Sequence, residues 1–130
     1  MEVPKDRKVH DTQTSTYWFD DDGIMCSISK KADPLSLEET KKLLENFRAT
    51  LKQEKICMFI DVTHSRETTR DVRNYVAEEF PKFVKAIAMI SDSALGRMLA
   101  NLFFSLKSQP YPAKMFSNEQ EAKEWLVQYL

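Results

Sequence analysis

The sequence predicts a single α/β domain with a mixed, mostly parallel sheet and helices packed on it. Three observations carry that expectation. The runs Ile56–Ile60 and Val84–Ile90 are almost wholly apolar, as parallel strands covered on both faces must be. Around them lie stretches whose apolar residues recur at helical spacing. The chain then closes on Pro110-Tyr111-Pro112-Ala113-Lys114-Met115-Phe116, a short strand introduced by proline, followed at once by a capped amphipathic helix from Ser117 to Leu126. The expected order is ββαβαβαβα, a hairpin feeding three right-handed crossovers.

Residues 1–14 are polar and aperiodic and read as a flexible or edge segment, with the domain proper over 15–130. Thr16-Tyr17-Trp18-Phe19 has the aromatic and β-branched content of a strand. Asp20-Asp21-Asp22-Gly23 supplies a hairpin turn, because Asp-Gly tolerates positive φ. Its acidic triplet lacks the alternating oxygens of a calcium loop. Ile24-Met25-Cys26-Ser27-Ile28 returns, with Ile24, Cys26 and Ile28 on one face at period two. Ser36-Leu37-Glu38-Glu39 is a capping box, and Leu37, Leu43, Leu44, Phe47 and Leu51 extend the helix to about Glu54.

The first buried strand ends at Asp61. A polar loop then leads into a second helix carrying Val72, Tyr75, Val76 and Phe80. After Val84–Ile90, Ser91-Asp92-Ser93 offers N-caps for a third helix that would turn Leu95, Met98, Leu99, Leu102, Phe103 and Leu106 inward. Gly96 in its first turn costs about 1 kcal/mol relative to alanine, a cost that close packing on the sheet would justify. A last strand over Tyr111–Phe116 precedes the final helix, which buries Ala122, Trp125, Leu126 and Tyr129.

Composition narrows the function classes. The 130 residues are 42% hydrophobic and 30% charged, enough for a soluble domain with its own core. Nineteen basic against twenty acidic residues leave a net charge of −1, which lacks the electrostatic footprint of a nucleic-acid binder or a polybasic membrane anchor. No apolar run reaches the ~20 residues of a membrane span. The N-terminus carries charges of both signs with no apolar h-region, so the chain reads as cytoplasmic. Cys26 and Cys57 lie in apolar runs without CxxC spacing and read as reduced core residues. His10 and His64 are too far apart for a zinc motif. Two glycines, Gly23 and Gly96, cannot build a phosphate-cradling loop. No cofactor is implied.

Several residues resemble a known family. They are Tyr17-Trp18 with Gly23-Ile24, Asp61 ending a buried strand, Ser93, Arg97 and Asn101 with Phe103-Phe104, then Pro110-Tyr111-Pro112, Phe116, Glu121-Ala122 and Trp125-Leu126. From about Thr16 onward the chain resembles the SpoIIAA-like superfamily. That superfamily includes the STAS domains of anti-sigma factor antagonists and sits near the lipid-binding CRAL-TRIO (SEC14-like) modules. The chain is most similar to small, uncharacterised bacterial proteins of this STAS/SEC14-like type. The resemblance implies a SpoIIAA-like fold and a regulatory role. In signalling STAS domains the segment after the middle strand is Asp-Ser-Ser-Gly-like and its serine is the phosphorylation switch. Here that segment is Asp61-Val62-Thr63-His64-Ser65-Arg66-Glu67-Thr68-Thr69, which keeps the aspartate and several hydroxyls but has no Ser-Gly pair.

Two groups of candidate residues follow. In open α/β sheets, ligands meet the carboxyl ends of the parallel strands, where helix N-termini point their free N–H groups. Those ends carry Asp61, Thr63, Ser65, Arg66 and Thr68 after one strand, a candidate switch or ligand loop. Ser91 and Ser93 follow the next strand, and with Arg97, Asn101 and Phe104 they form a candidate anion or partner surface. Arg97, Asn101 and Phe104 fall at i, i+4 and i+7, on a stripe whose residue types suit an interface. The hydroxyls serve equally well as plain helix caps, and Asn101 could equally bond a neighbouring loop.

No serine sits in a nucleophile elbow, and neither cysteine has a neighbouring histidine in the sequence. The leading expectation is therefore a non-enzymatic regulatory or protein-interaction module with a phospho-switched loop and a protein partner; a homodimer is compatible with it. The alternative is a SEC14-like binder of a small apolar or anionic ligand, suggested by six methionines and eight phenylalanines, which can line adaptable cavities.

Overall fold

The computed structural model describes residues 1–51, 54–94, 98 and 110–130. Its hairpin forms where the Asp-Gly pair directs it. Strand β2 (Ser15–Phe19) turns into β3 (Met25–Ser29) through Gly23, whose φ of +80° only glycine adopts without strain. The turn is held by Asp20, whose Oδ1 accepts from the N–H groups of Asp22 and Ile24, both at 2.9 Å. A two-residue edge strand β1 (His10–Asp11) pairs antiparallel with β2.

Strands β4 (Ile56–Asp61), β5 (Val84–Ile90) and β6 (Ala113–Phe116) continue the sheet in parallel from β3, so the six strands lie in the order of the chain. Helix α1 (Leu37–Ala49) connects β3 to β4. Helix α2 (Arg70–Glu79), with a short 3-10 turn at Phe80–Lys82, connects β4 to β5. Helix α3 (Glu119–Val127) closes the chain. Successive right-handed crossovers running in one direction place their helices on one face. Accordingly, Leu44 and Phe47 of α1 and Tyr75 and Val76 of α2 pack with Met25, Met58, Ile87 and Met89 of the sheet. Ala122 and Leu126 of α3 cover the opposite face, against Trp18, Cys26, Phe59, Ala86 and Ala88. Ala86, Ala88 and Ala122 are fully buried, and their small side chains let α3 approach the sheet closely.

Some boundaries differ from the expected ones for visible reasons. Helix α1 ends at Ala49 and not near Glu54, because the Thr50 hydroxyl donates to the Phe47 carbonyl at 2.7 Å and closes the last turn. Strand β6 begins at Ala113, since Pro112 has no N–H to give the ladder and contributes only its carbonyl, which accepts from the Ile87 N–H at 2.9 Å. The cap of α3 is Asn118, whose Oδ1 accepts from the Glu121 N–H at 2.9 Å. The helix expected to carry Leu95 to Leu106 lies almost wholly outside the described residues. No described helix is long and apolar enough to cross a membrane.

Candidate functional site

Strand β3 is sandwiched between helices on both faces, and its residues decide what lies beneath α1 and α2. Ile24, Cys26 and Ile28 point to the α3 side, as the alternation implies. On the other face β3 presents Met25, then Ser27 and Ser29. In the ladder Ser27 stands between Tyr17 of β2 and Ile60 of β4, and Ser29 stands opposite Ser15. Three short hydroxyl side chains thus occupy a helix-covered surface where β4 and β5 place Met58, Ile60, Ile87 and Met89. Side chains this small cannot fill the layer, and the consequence is a cavity.

That cavity is a cleft of about 300 Å³. Its roof is Thr40, Leu43 and Leu44 of α1 with Val72 and Val76 of α2. Its floor is Ser15, Ser27, Ser29 and Ile60. A deeper space of about 180 Å³ shares Ser15, Ser27, Leu43, Leu44, Ile60 and Phe80 with it and is completed by Thr12, Tyr17, Met25, Phe47, Met58 and Phe83. Among the described residues the ionisable ones lining the cleft are Lys30, His64 and Arg66, with no carboxylate.

The polar groups on the floor have unequal partners. The Ser29 hydroxyl accepts from the His64 N–H at 3.0 Å, which hangs the loop after β4 from β3. Ser15 bonds Thr12 at 3.2 Å. The Thr40 hydroxyl donates to the Ser36 carbonyl at 2.8 Å. Ser27 is only 7% exposed, faces both spaces, and its hydroxyl makes no hydrogen bond to any described residue. At the rim, Lys30 pairs with the Asp11 carboxylate and donates to the Thr12 carbonyl at 2.8 Å. The Lys30 ammonium, with the Thr16 hydroxyl, holds the Asp11 carboxyl below its ordinary range. Arg66 pairs with Asp33 at 3.0 Å, both side chains largely in solvent.

The candidate loop residues divide into two sets. Asp61 Oδ1 accepts from the Thr63 N–H at 2.9 Å and from its hydroxyl at 2.6 Å. Thr63 Oγ1 in turn accepts from the Asp92 N–H at 3.0 Å. The Ser91 hydroxyl accepts from the Ser93 N–H and donates to the Ser93 carbonyl, each at 3.0 Å. Asp61, Thr63, Ser91 and Ser93 therefore meet in two linked turns at the strand ends. Ser65, Arg66 and Thr68 instead line the cleft. Arg97, Asn101 and Phe104 lie outside the described residues. The N-cap position of α2, Thr69, bonds the Asp71 carboxylate with its hydroxyl and makes no side-chain cap.

The residues missed from sequence are Ser15, Ser27, Ser29 and Lys30. Serines alternating with Ile24, Cys26 and Ile28 look like a solvated strand face. The available signal was topological: a strand next to the central parallel strand, followed by a crossover helix, is covered on both sides.

A larger open groove of about 740 Å³ runs between the outer edges of α1 and α2. Its charges are of both signs, and Arg48 and Lys82 each reach Glu79 at 3.0 Å, so it reads as a solvated seam between helices. Among the described residues no cluster of His, Cys, Asp or Glu could hold a metal ion. Burial pushes the Cys26 thiol up to about 11 and raises that of Cys57, so neither is a thiolate near neutral pH.

Comparison with known proteins fits this architecture. The chain is similar to a crystal structure of an uncharacterised protein of the DUF3478 family with a SpoIIAA-like fold from Shewanella loihica PV-4. That match is 21% identical over 92% of this chain and 90% of the other, with a TM-score of 0.54. At that identity the likeness establishes the fold, which is SpoIIAA-like. A protein of unknown function from Arthrobacter sp. FB24 matches at 23% identity over 86% of this chain and 92% of its own, with a TM-score of 0.31. No curated protein matches. Residues 17–130 match the family described as a domain of unknown function, DUF7793, and since the match spans nearly the whole chain, the protein belongs to that family.

Proposed function

We propose that this protein is a non-enzymatic binding module. Its cleft under α1 and α2 takes a small molecule, and the loop over residues 62–69 presents the occupied state to a protein partner. Ser27 carries the reading. Among the described residues no fully buried side-chain oxygen or nitrogen lacks a partner, so a hydroxyl that bonds none of them opens onto the cleft, and between mostly apolar walls it suits the polar atom of a ligand. The loop is coupled to the same site, because His64 is tied to Ser29 on the floor while Ser65, Arg66 and Thr68 form the wall. The non-catalytic part of the reading rests on chemistry: both thiols are held neutral by burial, and Asp61 is occupied by Thr63.

Native mass spectrometry after incubation with a small-molecule extract of the protein's own cells tests this. The wild type should carry a small non-covalent adduct that Ser27→Leu, folded by circular dichroism, lacks. The reading falls if the variant keeps the adduct or if neither protein carries one.

A second reading has its own support. The Ser65 side chain is exposed and makes no hydrogen bond to a described residue, so it is open to phosphorylation beside Arg66. A phosphate there would bring about −1.5 to −2 charges to a rim where Arg66 is held only by the exposed Asp33. Ser65→Asp and Thr68→Asp should then change the affinity for a co-purifying partner. If neither does, the switch reading is lost and the cleft reading remains.

A further inference from the structure

We infer that the ligand of the cleft is a small amphipathic monocarboxylate, with its head at the basic rim and its apolar body running over the serine floor toward the deeper cavity. The inference rests on the small-molecule reading above and names the ligand's class from volume, polarity and charge.

Volume sets the size. At roughly 30 Å³ per non-hydrogen atom, the liquid-volume share of one water molecule, about 300 Å³ holds on the order of ten such atoms. The deeper 180 Å³ allows a modest extension. A two-chain lipid is several times too large. Polarity sets the orientation. The deep end is walled chiefly by Met25, Phe47, Met58 and Phe83, with Thr12 and Tyr17 neutral polar residues at its edge, and it offers no opposite charge to an anion. The charged groups lie toward the mouth, where Ser27 and Ser29 of β3 lead to Lys30 just beyond the strand.

Charge sets the head group. Among the described residues the ionisable ones lining the cleft, Lys30, His64 and Arg66, are all basic types, and an anionic head competes there with Asp11, which pairs with Lys30, and with Asp33, which pairs with Arg66. Arg66 already holds a carboxylate, that of Asp33, at 3.0 Å. Asp33 is almost wholly in solvent, and an exposed pair of this kind is weak. A ligand carboxylate arriving from the cleft side can replace it, and the guanidinium fork suits that group. The hydroxyl of Ser27, on the floor, bonds no described residue and is open to a polar atom of the ligand. A straight-chain acid and an aryl-alkyl acid share this chemistry, and the test separates them.

Octanoate and 4-phenylbutyrate are the two acid probes, octanol the uncharged control, and vesicles of a two-chain phosphatidylglycerol the lipid control. The protein, labelled with ¹³C at the methionine methyls, is titrated by NMR. Met25 and Met58 line the deeper cavity, whereas Met1 packs against the opposite face. One or both acids should bind at one site per chain, shifting Met25 and Met58 but not Met1, and the tighter acid identifies the body. Arg66→Gln, at an exposed position, should weaken binding roughly tenfold or more, the scale of one hydrogen bond to a charged group. Octanol should bind at least as weakly as the acids bind that variant, and vesicles should leave Met25 and Met58 unmoved. If octanol binds as well as octanoate, or Arg66→Gln changes nothing, the carboxylate assignment is overturned while the cleft remains a ligand site. If no probe binds and the extract adduct is also missing, both the inference and the cleft reading fall. Equal shifts at Met1 would mark non-specific association and count against the inference.

Discussion

Ser27 is a small side chain in a place that stability alone would fill with a large one. Its ladder neighbours on the same face are Tyr17 and Ile60, and α1 covers all three. Thr40, across the cleft, shows the ordinary solution for a buried hydroxyl, since it donates to the carbonyl of Ser36 one turn back. Ser27 bonds no described residue, so valine there, with a methyl in place of the hydroxyl and a second methyl beside it, removes a hydroxyl that only the cleft serves and fills space at once. Ser27→Val should therefore stabilise the ligand-free protein by about 1 kcal/mol, a gain of the size found for cavity-filling changes. For a chain of this length that corresponds to about 3–5 °C in Tm. Thermal unfolding monitored by circular dichroism measures it. A lower Tm would mean that the serine is part of tight packing and that the cleft is not spare volume kept for a ligand.

At the scale of elements, what could be read from sequence was what local chemistry encodes. The Ser36–Glu39 box is complete, with the Glu39 N–H donating to Ser36 Oγ at 3.2 Å and the Ser36 N–H donating to Glu39 Oε1 at 3.0 Å. Ser36→Ala should cost about 1 kcal/mol, read as a lower urea midpoint with an unchanged slope. The bond from the Ser36 N–H also holds the Glu39 carboxyl below its ordinary value of 4.5. Because the folded form is the one that binds the proton less readily, this contribution is present above that pH and fades as the solution is acidified below it. The wild-type advantage over Glu39→Ala should shrink on acidification, and an advantage independent of pH would count against the reciprocal cap. The end of α1 was not legible, because the apolar spacing continues to Leu51 while a threonine side chain ends the helix. The candidate site was half legible for a similar reason. Hydroxyls after β4 and β5 announce strand ends, but only the three-dimensional pairing of Thr63 with Asp61 and Asp92 shows which ones hold turns and which ones face the cleft.

The whole molecule is a sheet buried on both sides, so its neutral acids sit deep and its response to alkali is collective. Cys26 lies in the α3-side core, where burial raises its thiol from 9.0 to about 11, with Asp20 adding to the rise. Tyr111 lies in the other core, and burial raises its phenol from 10.0 to about 12. Cys57 and Tyr17 move in the same direction for the same reason. In the unfolded chain each group ionises near its ordinary value, whereas the folded chain keeps it protonated. Unfolding thus releases protons once the pH passes about 9, and stability falls as pH rises from there through the folded-state values. Below pH 9 neither state ionises these groups and they contribute no slope. Urea midpoints should therefore show no slope from these groups between neutral pH and about 9, then decline toward pH 12. Cys26→Ala should flatten the decline between about 9 and 11, and Tyr111→Phe the part between about 10 and 12. The two variants act on opposite faces of the sheet, with no shared partner, so their effects on the slope should add. If the double variant keeps the full wild-type decline, lysine deprotonation at the surface governs the alkaline limit instead, and the buried acids of the two cores do not.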